Sequence, residues 1–335
     1  MEIEKTKGVF IVWKKFQRRV EVLAPQFGLE IIYLHYEWEE YSKFHKAFSY
    51  LLKSIETFKH LLQKRPPLIF VQLPPTLVLY QVAFHAWLSG AKYVSDCHNS
   101  MVYGYWSQWI LAKKLLNNGI MVVHNDHVAD HVKKSMGIAP FVLRTGITKR
   151  NYQDNNVNPL LSHLGLSSKH YVILPWNFNS DEPLTEVFEA IRSMPDIQFV
   201  MTWYFEKLAK SLMNNLPPNL KLTGFLKTED FNHLFSNAGV ALVLTNRDGT
   251  QLSGMHEAMA FEIPAVISDL KTTRFLYKDT PVYVKNDPES IVKGIREAFG
   301  NRIELQEKIK NLRHETENEF SQQILKLKTM LNMDD

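Results

Sequence analysis

The chain has 335 residues, of which 45% are hydrophobic and 22% are charged. This length suits two domains, and this composition excludes disorder over most of the chain. The single cysteine, Cys97, excludes an intramolecular disulfide and a cysteine-rich zinc site, and it predicts a cytoplasmic protein. Residues 1–7 carry acids and no apolar core, so we expect no secretory signal.

The net charge of +4 is distributed unevenly along the chain. Residues 1–150 hold 20 Lys and Arg against 11 Asp and Glu, a balance of +9, whereas the remainder holds 19 against 24, a balance of −5. A basic half attracts nucleic acid, anionic lipid or a phosphorylated substrate. Because no nucleic-acid-binding motif accompanies the charge, we expect no nucleic-acid partner.

Short apolar strands alternate with helical patterns in both halves, which is typical of parallel α/β sheets. The predicted strands are 8–13, 30–34, 68–72, 92–95 and 120–124, then 171–175, 198–202, 220–223, 240–244, 265–268 and 282–284. We therefore predict two doubly wound domains, residues 1–150 and 151–314, with an Asn-rich linker over 151–159. A helical tail over 315–335 either packs back on the amino-terminal domain or lies solvated.

Two helical segments of the basic half are candidates for contact with a membrane. Residues 66–91 contain no Asp, Glu, Lys or Arg, but two Pro-Pro pairs break the run. The helix predicted over 76–89 is too short to cross roughly 30 Å of hydrocarbon. Residues 41–65 interleave apolar side chains with lysines such as Lys43, Lys46 and Lys53. Such a helix either lies on an anionic membrane surface or packs its apolar face on its own domain.

The most informative segment is 240–269, where a strand, a polar loop, a short helix and a second strand follow one another. The loop spans 245–252, Ser253 is the predicted N-cap, and Pro264 keeps the helix out of the second strand. Phosphate suits this helix N-terminus, because backbone N–H groups there are unpaired and carry partial positive charge.

Missing motifs exclude several other chemistries. The chain contains no G-x-G-x-x-G, G-x-x-x-x-G-K-[ST], G-x-S-x-G or H-E-x-x-H. Dinucleotide-binding, P-loop, serine-hydrolase and zincin sites of those types are therefore not expected. There is also no D-x-D pair, so a bound nucleotide diphosphate would be neutralised by helix dipoles and basic side chains instead of a metal.

Residues 225–245, followed by Asp248-Gly249, 257–260 and 264–269, resemble the donor half of GT-B glycosyltransferases of the family 4-like type. The resemblance implies a GT-B fold, in which two Rossmann-like domains face a cleft. It also implies a donor site in which Asp248 binds the sugar and Glu257 the ribose. The diphosphate would bind the loop amides of Gly249, Thr250, Gln251, Leu252 and Ser253.

The sequence departs from that family at two points. Asp248 reaches the position of the family's first acid only through a one-residue insertion, because an ungapped alignment places Gly249 there. The family also places an Arg and a Lys after the first strand of the carboxyl domain, whereas residues 174–183 contain no base.

The amino-terminal half is similar to the β-1,4-mannosyltransferases that extend lipid-linked chitobiose. The similarity lies in Gln-Leu-Pro-Pro at 72–75 and Ala-Lys-Tyr-Val-Ser-Asp-Cys-His-Asn at 91–99. Asp96 and His98 are two residues apart at a strand end, so both point the same way, toward the expected cleft. Either could take the proton of an acceptor hydroxyl. Alternatively, Asp96 caps the following turn and His98 is a hydrogen-bonded loop residue.

Weaker candidates flank these residues. Lys14, Lys15 and Arg18 follow the first strand and either contact phosphate or the acceptor, or form a solvated first turn. His124, His127 and His131 imitate a metal cluster, but we predict no metal site there, because Asn125 or Asp126 is expected to cap a helix. Cys97 lies on the strand face opposite His98, which disfavours a Cys-His nucleophile.

The sequence thus predicts transfer of a sugar from a UDP or GDP sugar to a glycan or lipid-linked saccharide. We expect no metal and no cofactor, and a peripheral association with an anionic membrane through the basic half. One alternative is a degenerate GT-B subunit that supports a partner glycosyltransferase, as the missing basic pair suggests. A nucleotide-sugar epimerase, which shares this fold, is the other.

Overall fold

The computed structural model describes residues 7–147, 159–176, 180–202 and 215–333. The chain divides into two compact units. The first runs to Gly146 and includes the residues from Asn318 onward, and the second runs from Ile147 to Glu317. In the described ranges each unit holds one six-stranded sheet in which all neighbouring strands are parallel.

The first sheet has the order β2-β1-β3-β4-β5-β6. Its strands are β1 (Gly8–Val12), β2 (Leu29–Tyr33), β3 (Leu68–Leu73), β4 (Lys92–Cys97), β5 (Ile120–Val123) and β6 (Phe141–Val142). The helices of this unit are α1 (Arg18–Gln26), α2 (Lys43–Lys64), α3 (Thr76–Ser89), α4 (Asn99–Val102), α5 (Ala112–Asn118) and α6 (Asp126–Met136). Every residue of β1 and β3 is buried, because apolar clusters cover both faces of the sheet.

The second sheet has the order β12-β11-β10-β7-β8-β9. Its strands are β7 (Tyr171–Pro175), β8 (Gln198–Thr202), β9 (Leu220–Leu222), β10 (Val240–Val243), β11 (Ala265–Ser268) and β12 (Val282–Val284). Its helices are α7 (Leu160–His163), α8 (Leu184–Arg192), α9 (Thr228–Asn237), α10 (Ser253–Phe261), α11 (Lys271–Tyr277) and α12 (Pro288–Gly300). Two apolar clusters again cover the two faces of the sheet.

The last helix, α13 (Arg302–Leu331), contributes to the cores of both units. Ile309 and Leu312 pack in the second unit, whereas Phe320 and Ile324 pack in the first. The predicted linker, 151–159, lies outside the described residues except for its last position.

The predicted doubly wound α/β architecture is confirmed. Every predicted strand is present, and four of them have the predicted bounds: 171–175, 198–202, 265–268 and 282–284. The two-residue strand β6 was not predicted, because so short an edge strand leaves no periodic pattern. No helix in the described ranges combines the length and apolarity that a bilayer-spanning segment needs.

Candidate functional site

The second sheet has its topological switch point between β7 and β10. From β7 the chain proceeds through β8 to β9 at one edge, and from β10 it proceeds through β11 to β12 at the other. The connections after β7 and β10 therefore diverge and open a crevice, which is where ligands bind in open α/β sheets. The polar loop 244–252 leaves β10 at this point and leads into α10.

The start of this loop is fixed by Asp181 of the β7–α8 connection. The Thr245 hydroxyl donates to Oδ2 of Asp181 at 2.7 Å, and the Asn246 N–H donates to the Asp181 carbonyl at 2.6 Å. The Thr245 N–H donates to the Ser268 hydroxyl at 2.9 Å. Asp181 belongs to the segment in which the family's basic pair was missing, and residues 177–179 of that segment lie outside the described residues.

Asp248, the predicted sugar ligand, binds two backbone groups through one of its carboxylate oxygens. Its Oδ1 accepts from the Gly249 N–H and from the Thr272 N–H, each at 3.0 Å. Gly249 adopts a φ of 78°, a conformation that glycine adopts without strain, and its N–H also donates to the Thr272 hydroxyl at 3.0 Å. Asp248 therefore ties the loop to the first turn of α11, and the Gly249 amide is already engaged.

Leu252, Gln251 and Thr250 were also predicted to bind phosphate through their backbone amides. The Leu252 N–H donates to the hydroxyl of Tyr277 at 3.2 Å, and Leu252 itself is buried. The side-chain amide of Gln251, as distinct from its backbone N–H, donates to Nε2 of His256 at 2.7 Å. Thr250 is half-buried. Of the predicted loop residues, Ser253 is the one whose side chain is exposed and which also begins a helix.

Ser253 was predicted as the N-cap of α10, and this prediction is wrong. The N-cap is Leu252, whose carbonyl accepts from the N–H groups of Met255 and His256 at 3.2 and 3.4 Å. Leu252 has no side chain that could cap, so Ser253 and Gly254 are the first helical residues, and their N–H groups have no partner inside the helix. This shift of one residue leaves two amides at the helix N-terminus for an anion.

Gly254 sets how closely α10 approaches the switch point. A Cβ atom on Gly254 would lie 2.7 Å from Cγ of Pro175 and 2.8 Å from Cγ2 of Val243. Only glycine therefore lets the amino end of α10 contact the last residues of both β7 and β10. The helix N-terminus stands directly at the crevice because of this contact.

Glu257, the predicted ribose ligand, lies in the second turn of α10 and is 8% exposed. Arg247, which the sequence reasoning missed, is an exposed base within the same loop. Arg247 could have been identified from the sequence by its position, one residue before Asp248. The loop thus carries one exposed cation and leads into a helix whose second turn holds a nearly buried carboxylate.

In the first unit, Asp96 forms a buried ion pair that the sequence did not predict. Nε of Arg19 donates to Oδ1 and Oδ2 of Asp96 at 3.0 and 3.2 Å, and the two side chains are 6% and 1% exposed. The guanidinium also donates to the Thr145 hydroxyl at 2.9 Å and to the Leu143 carbonyl at 2.8 Å. Because both carboxylate oxygens are engaged by Arg19, this geometry does not support Asp96 as the proton acceptor. The Asp96 side chain does not cap the following turn either.

His98 is the second residue predicted to carry the chemistry, and its ring is surrounded by amides. The Gln72 side-chain amide lies 2.7 Å from Nε2, and that of Gln17 lies 3.3 Å from it. An amide nitrogen only donates, so Nε2 accepts and a neutral ring carries its proton on Nδ1. In this arrangement His98 offers a hydrogen-bond donor. A role as base requires the Gln72 amide to turn over, so that its oxygen accepts from Nε2–H.

The protonation state of His98 follows from its surroundings. Burial, opposed by Asp96 and reinforced by the cations Lys14 and Arg19, lowers the pKa of His98 to about 4. The ring is therefore neutral at physiological pH. A base with so low a pKa is weak, which favours a positioning role for His98 over proton abstraction.

This shift predicts an acid-sensitive stability that depends on His98. Between pH 6.5 and 4 the unfolded chain binds a proton at His98 that the folded protein excludes, so stability falls as the pH falls through this window. The total loss for a shift of this size is roughly 3 kcal/mol. We expect His98→Gln to remove this part of the pH dependence of urea unfolding, measured by tryptophan fluorescence.

The exposed His45, changed to Gln, is the control for that experiment. His45→Gln should follow the wild-type dependence of unfolding free energy on pH. Equal slopes for wild type and His98→Gln between pH 6.5 and 4 would mean that the folded protein does not exclude the proton from His98.

The bases after β1 differ in their surroundings. Lys14 and Lys15 are exposed, and Lys15 reaches Glu37 at 3.4 Å. Arg18 is half-buried. The switch point of the first sheet lies between β1 and β3, so this loop leaves the sheet where a ligand is expected. Lys14 and Lys15 remain predicted phosphate or acceptor contacts on this placement.

The histidines after β5 do not form a metal cluster in the described ranges, where no group of three or more His, Cys, Asp or Glu has suitable spacing. Asn125 caps α6, and its Oδ1 accepts from the Val128 N–H at 2.9 Å, so the predicted capping is confirmed. The ring of His124 packs edge-on against that of His98, with 4.7 Å between the centroids. Burial raises the pKa of the Cys97 thiol, so it is a poor nucleophile.

No protein-family model matches the chain, and no curated protein sequence is significantly similar to it. Solved structures nevertheless share its fold. HepE from Anabaena, solved with UDP-glucose, has a TM-score of 0.71 and 12% identity, over 96% of this chain and 99% of that chain. A glycosyltransferase from Rickettsia africae has a TM-score of 0.69 and 12% identity, over 96% of each chain.

A protein from Listeria monocytogenes that is thought to be a UDP-N-acetylglucosamine 2-epimerase is also similar. Its TM-score is 0.66 at 13% identity, over 99% of this chain and 98% of that chain. These likenesses confirm the predicted GT-B fold of two doubly wound domains. The similarity to family 4 and to β-1,4-mannosyltransferases stays a prediction.

Proposed function

We propose that the protein transfers a sugar from a nucleotide diphosphate sugar to a saccharide acceptor. The observation that carries the proposal is the N-terminus of α10, where the Ser253 and Gly254 amides stand at the switch point of the second sheet. A diphosphate fits this position because the amides and the helix dipole favour negative charge. UDP sugars are the first donors to test, since the similar Anabaena protein was solved with UDP-glucose.

In the proposed reaction this loop stabilises the negative charge on the leaving nucleotide diphosphate. As the bond from the anomeric carbon to the phosphate oxygen breaks, negative charge grows on the nucleotide diphosphate. Fixed N–H groups and a cation beside it lower the barrier, because they need no reorganisation during the reaction. We assign this role to the Ser253 and Gly254 amides and to Arg247, which is exposed in the same loop and replaces the missing basic pair.

We assign the ribose hydroxyls to Glu257. Its nearly buried carboxylate belongs to the same helix as the proposed phosphate site, one turn further along. A charged acceptor binds hydroxyl donors more strongly than a neutral one does. Asp248 acts indirectly in this proposal, because its Oδ1 holds the loop to α11.

We assign the acceptor, a glycan or a lipid-linked saccharide, to the first unit. There His98 and Gln72 offer hydrogen bonds at the carboxyl ends of the central strands, and the exposed Lys14 and Lys15 supply positive charge nearby. His98 would orient an acceptor oxygen through Nδ1–H.

Glu257→Ala is expected to weaken UDP binding by tenfold to a hundredfold. A hydrogen bond to a charged group contributes about 1.5–3 kcal/mol, and 1.4 kcal/mol corresponds to a factor of ten in affinity. Isothermal titration with UDP measures this loss, and Arg247→Gln provides a second variant of the same site. Glu297→Ala, an exposed helical glutamate of the same unit, is the control and should bind UDP as the wild type does.

A panel of UDP, GDP and dTDP sugars then separates the candidate functions. Release of nucleotide diphosphate with a saccharide acceptor supports the transferase. Isomerised nucleotide sugar without release supports an epimerase, which the similar Listeria protein makes the second candidate. If the wild type binds none of these nucleotides, the transferase proposal is wrong and a non-catalytic subunit becomes the better interpretation.

A further inference from the structure

Helix α2 is inverted with respect to the usual pattern of a surface helix. Its buried stripe is mostly polar: Ser49, Lys53 and Thr57 recur at every fourth position and are all fully buried, and the apolar Leu61 completes the stripe. Lys53 Nζ lies 2.5 Å from Oε2 of Glu39, and the Thr57 hydroxyl accepts from Nε1 of Trp13 at 3.0 Å. Because polar partners occupy the inner face, the apolar stripe of α2 is left outside.

The exposed stripe of α2 consists of large apolar side chains at helical spacing. Phe44 is 79% exposed, and Leu51, Ile55 and Leu62 are also exposed. A domain of this kind usually turns such a stripe inward to its own core. The sequence left open that α2 packs its apolar face on its own domain. For the exposed stripe of Phe44, Leu51, Ile55 and Leu62, this alternative is wrong. Lys53, which the sequence grouped with the outer lysines, is buried.

Helix α3 and the segment after it extend the same apolar surface. Phe58 of α2 and Phe84 of α3 have ring centroids 6.2 Å apart, and Phe84 and Trp87 are 6.1 Å apart. The Tyr80 hydroxyl donates to the Ile110 carbonyl at 2.6 Å, which holds Ile110 beside α3. Trp87 is 78% exposed and Ile110 is 84% exposed. We name this surface the aromatic face: Phe44, Leu51, Ile55, Phe84, Trp87 and Ile110.

Positive charges predominate in the segment that carries the aromatic face. Residues 41–125 contain nine Lys and Arg but two acids, Glu56 and the buried Asp96, whereas the exposed Glu37 and Glu40 precede α2. Near the amino end of α2, Lys43 and Lys46 are exposed and flank Phe44. Contiguous exposed apolar surface marks a site of interaction, and this positive frame indicates a partner with negative charge.

We propose that the aromatic face docks on the surface of an anionic lipid bilayer. Trp, Tyr and Phe suit the boundary between headgroups and acyl chains, and lysines beside them attract anionic headgroups over about a Debye length. A second copy of the chain is disfavoured, because pairing two such faces would bring like charges together. The inference is independent of the donor site in the second unit.

Flotation of the full chain with vesicles tests the proposal. We expect binding to vesicles of phosphatidylcholine with 30% phosphatidylglycerol, and binding at least tenfold weaker to phosphatidylcholine alone. Added salt should weaken the binding. Phe44→Ser with Trp87→Ser should lower the partition coefficient at least tenfold. Lys43→Gln with Lys46→Gln should lower it about 25-fold, at about fivefold per lysine.

Ile303→Ser is the matched control, because Ile303 is 77% exposed on α13 in the second unit. This variant should partition as the wild type does, and the far-UV circular dichroism and urea unfolding of every face variant should match those of the wild type, which shows that each is folded. Absence of vesicle binding by the wild type would overturn the proposal. Unchanged partitioning of the Phe44→Ser, Trp87→Ser double variant would also overturn it. The same holds if light scattering shows that the wild type is a dimer and that these substitutions dissociate it.

Discussion

Arg19→Ala is expected to destabilise the first unit by about 3–5 kcal/mol, the usual cost of leaving one partner of a buried ion pair uncompensated. Asp96 is 1% exposed and would lose its guanidinium partner, since Nε of Arg19 contacts both of its oxygens. The substitution would also remove donors from the Thr145 hydroxyl and the Leu143 carbonyl. Urea unfolding at neutral pH measures the loss.

An exposed ion pair of the same unit supplies the control. Lys64 Nζ contacts both carboxylate oxygens of Glu30 at 2.8 and 2.9 Å, but the two side chains are 36% and 41% exposed. Lys64→Ala should therefore cost less than about 1 kcal/mol. Arg19→Met combined with Asp96→Leu should cost less than Arg19→Ala alone, because no buried charge remains. Equal costs for Arg19→Ala and Lys64→Ala would contradict the ion pair as described.

Gly254→Ala is expected to cost about 1–3 kcal/mol of stability and to weaken UDP binding at least tenfold. The new methyl group would lie 2.7 Å from Cγ of Pro175 and 2.8 Å from Cγ2 of Val243, and neither side chain can swing away. The amino end of α10 would have to retreat from the switch point and carry its amides with it. Calorimetric titration with UDP and thermal unfolding measure the two effects.

Gly300→Ala is the matched control for this substitution. Gly300 is the last residue of α12, and a Cβ atom there would meet nothing within 4 Å. We expect this change to be neutral or slightly stabilising, because alanine reduces the freedom of the unfolded chain. If Gly254→Ala bound UDP with wild-type affinity, the α10 N-terminus would not be the phosphate site.

The strands could be predicted from the sequence because their signal is local. Runs such as 171–175 and 265–268 are short and apolar, and buried parallel strands require that composition. The alternation of strands and helices then restricts the topology to few choices, since parallel strands need helical crossovers. The position of the donor loop at a switch point follows from the same order.

The partners of the site residues could not be predicted, because they come from distant parts of the chain. Arg19 reaches Asp96 across 77 residues, and the sequence pointed to Lys14, Lys15 and Arg18 instead. Asp248 binds the Thr272 N–H across 24 residues, a contact that depends on how α11 begins. Hydrophobic periodicity likewise located the apolar stripe of α2 but did not tell which stripe faces the core, because ion pairing of Lys53 decides that.

The buried Cys97 gives the protein a built-in probe of its own opening. It is the only thiol of the chain, it lies at the end of β4, and burial raises its pKa. A thiol reagent can therefore modify the native protein only when the first sheet opens, and the second unit contributes no signal. The labelling rate under native conditions reports the free energy of that opening, so fluctuations of one half can be followed in the intact chain without an introduced label.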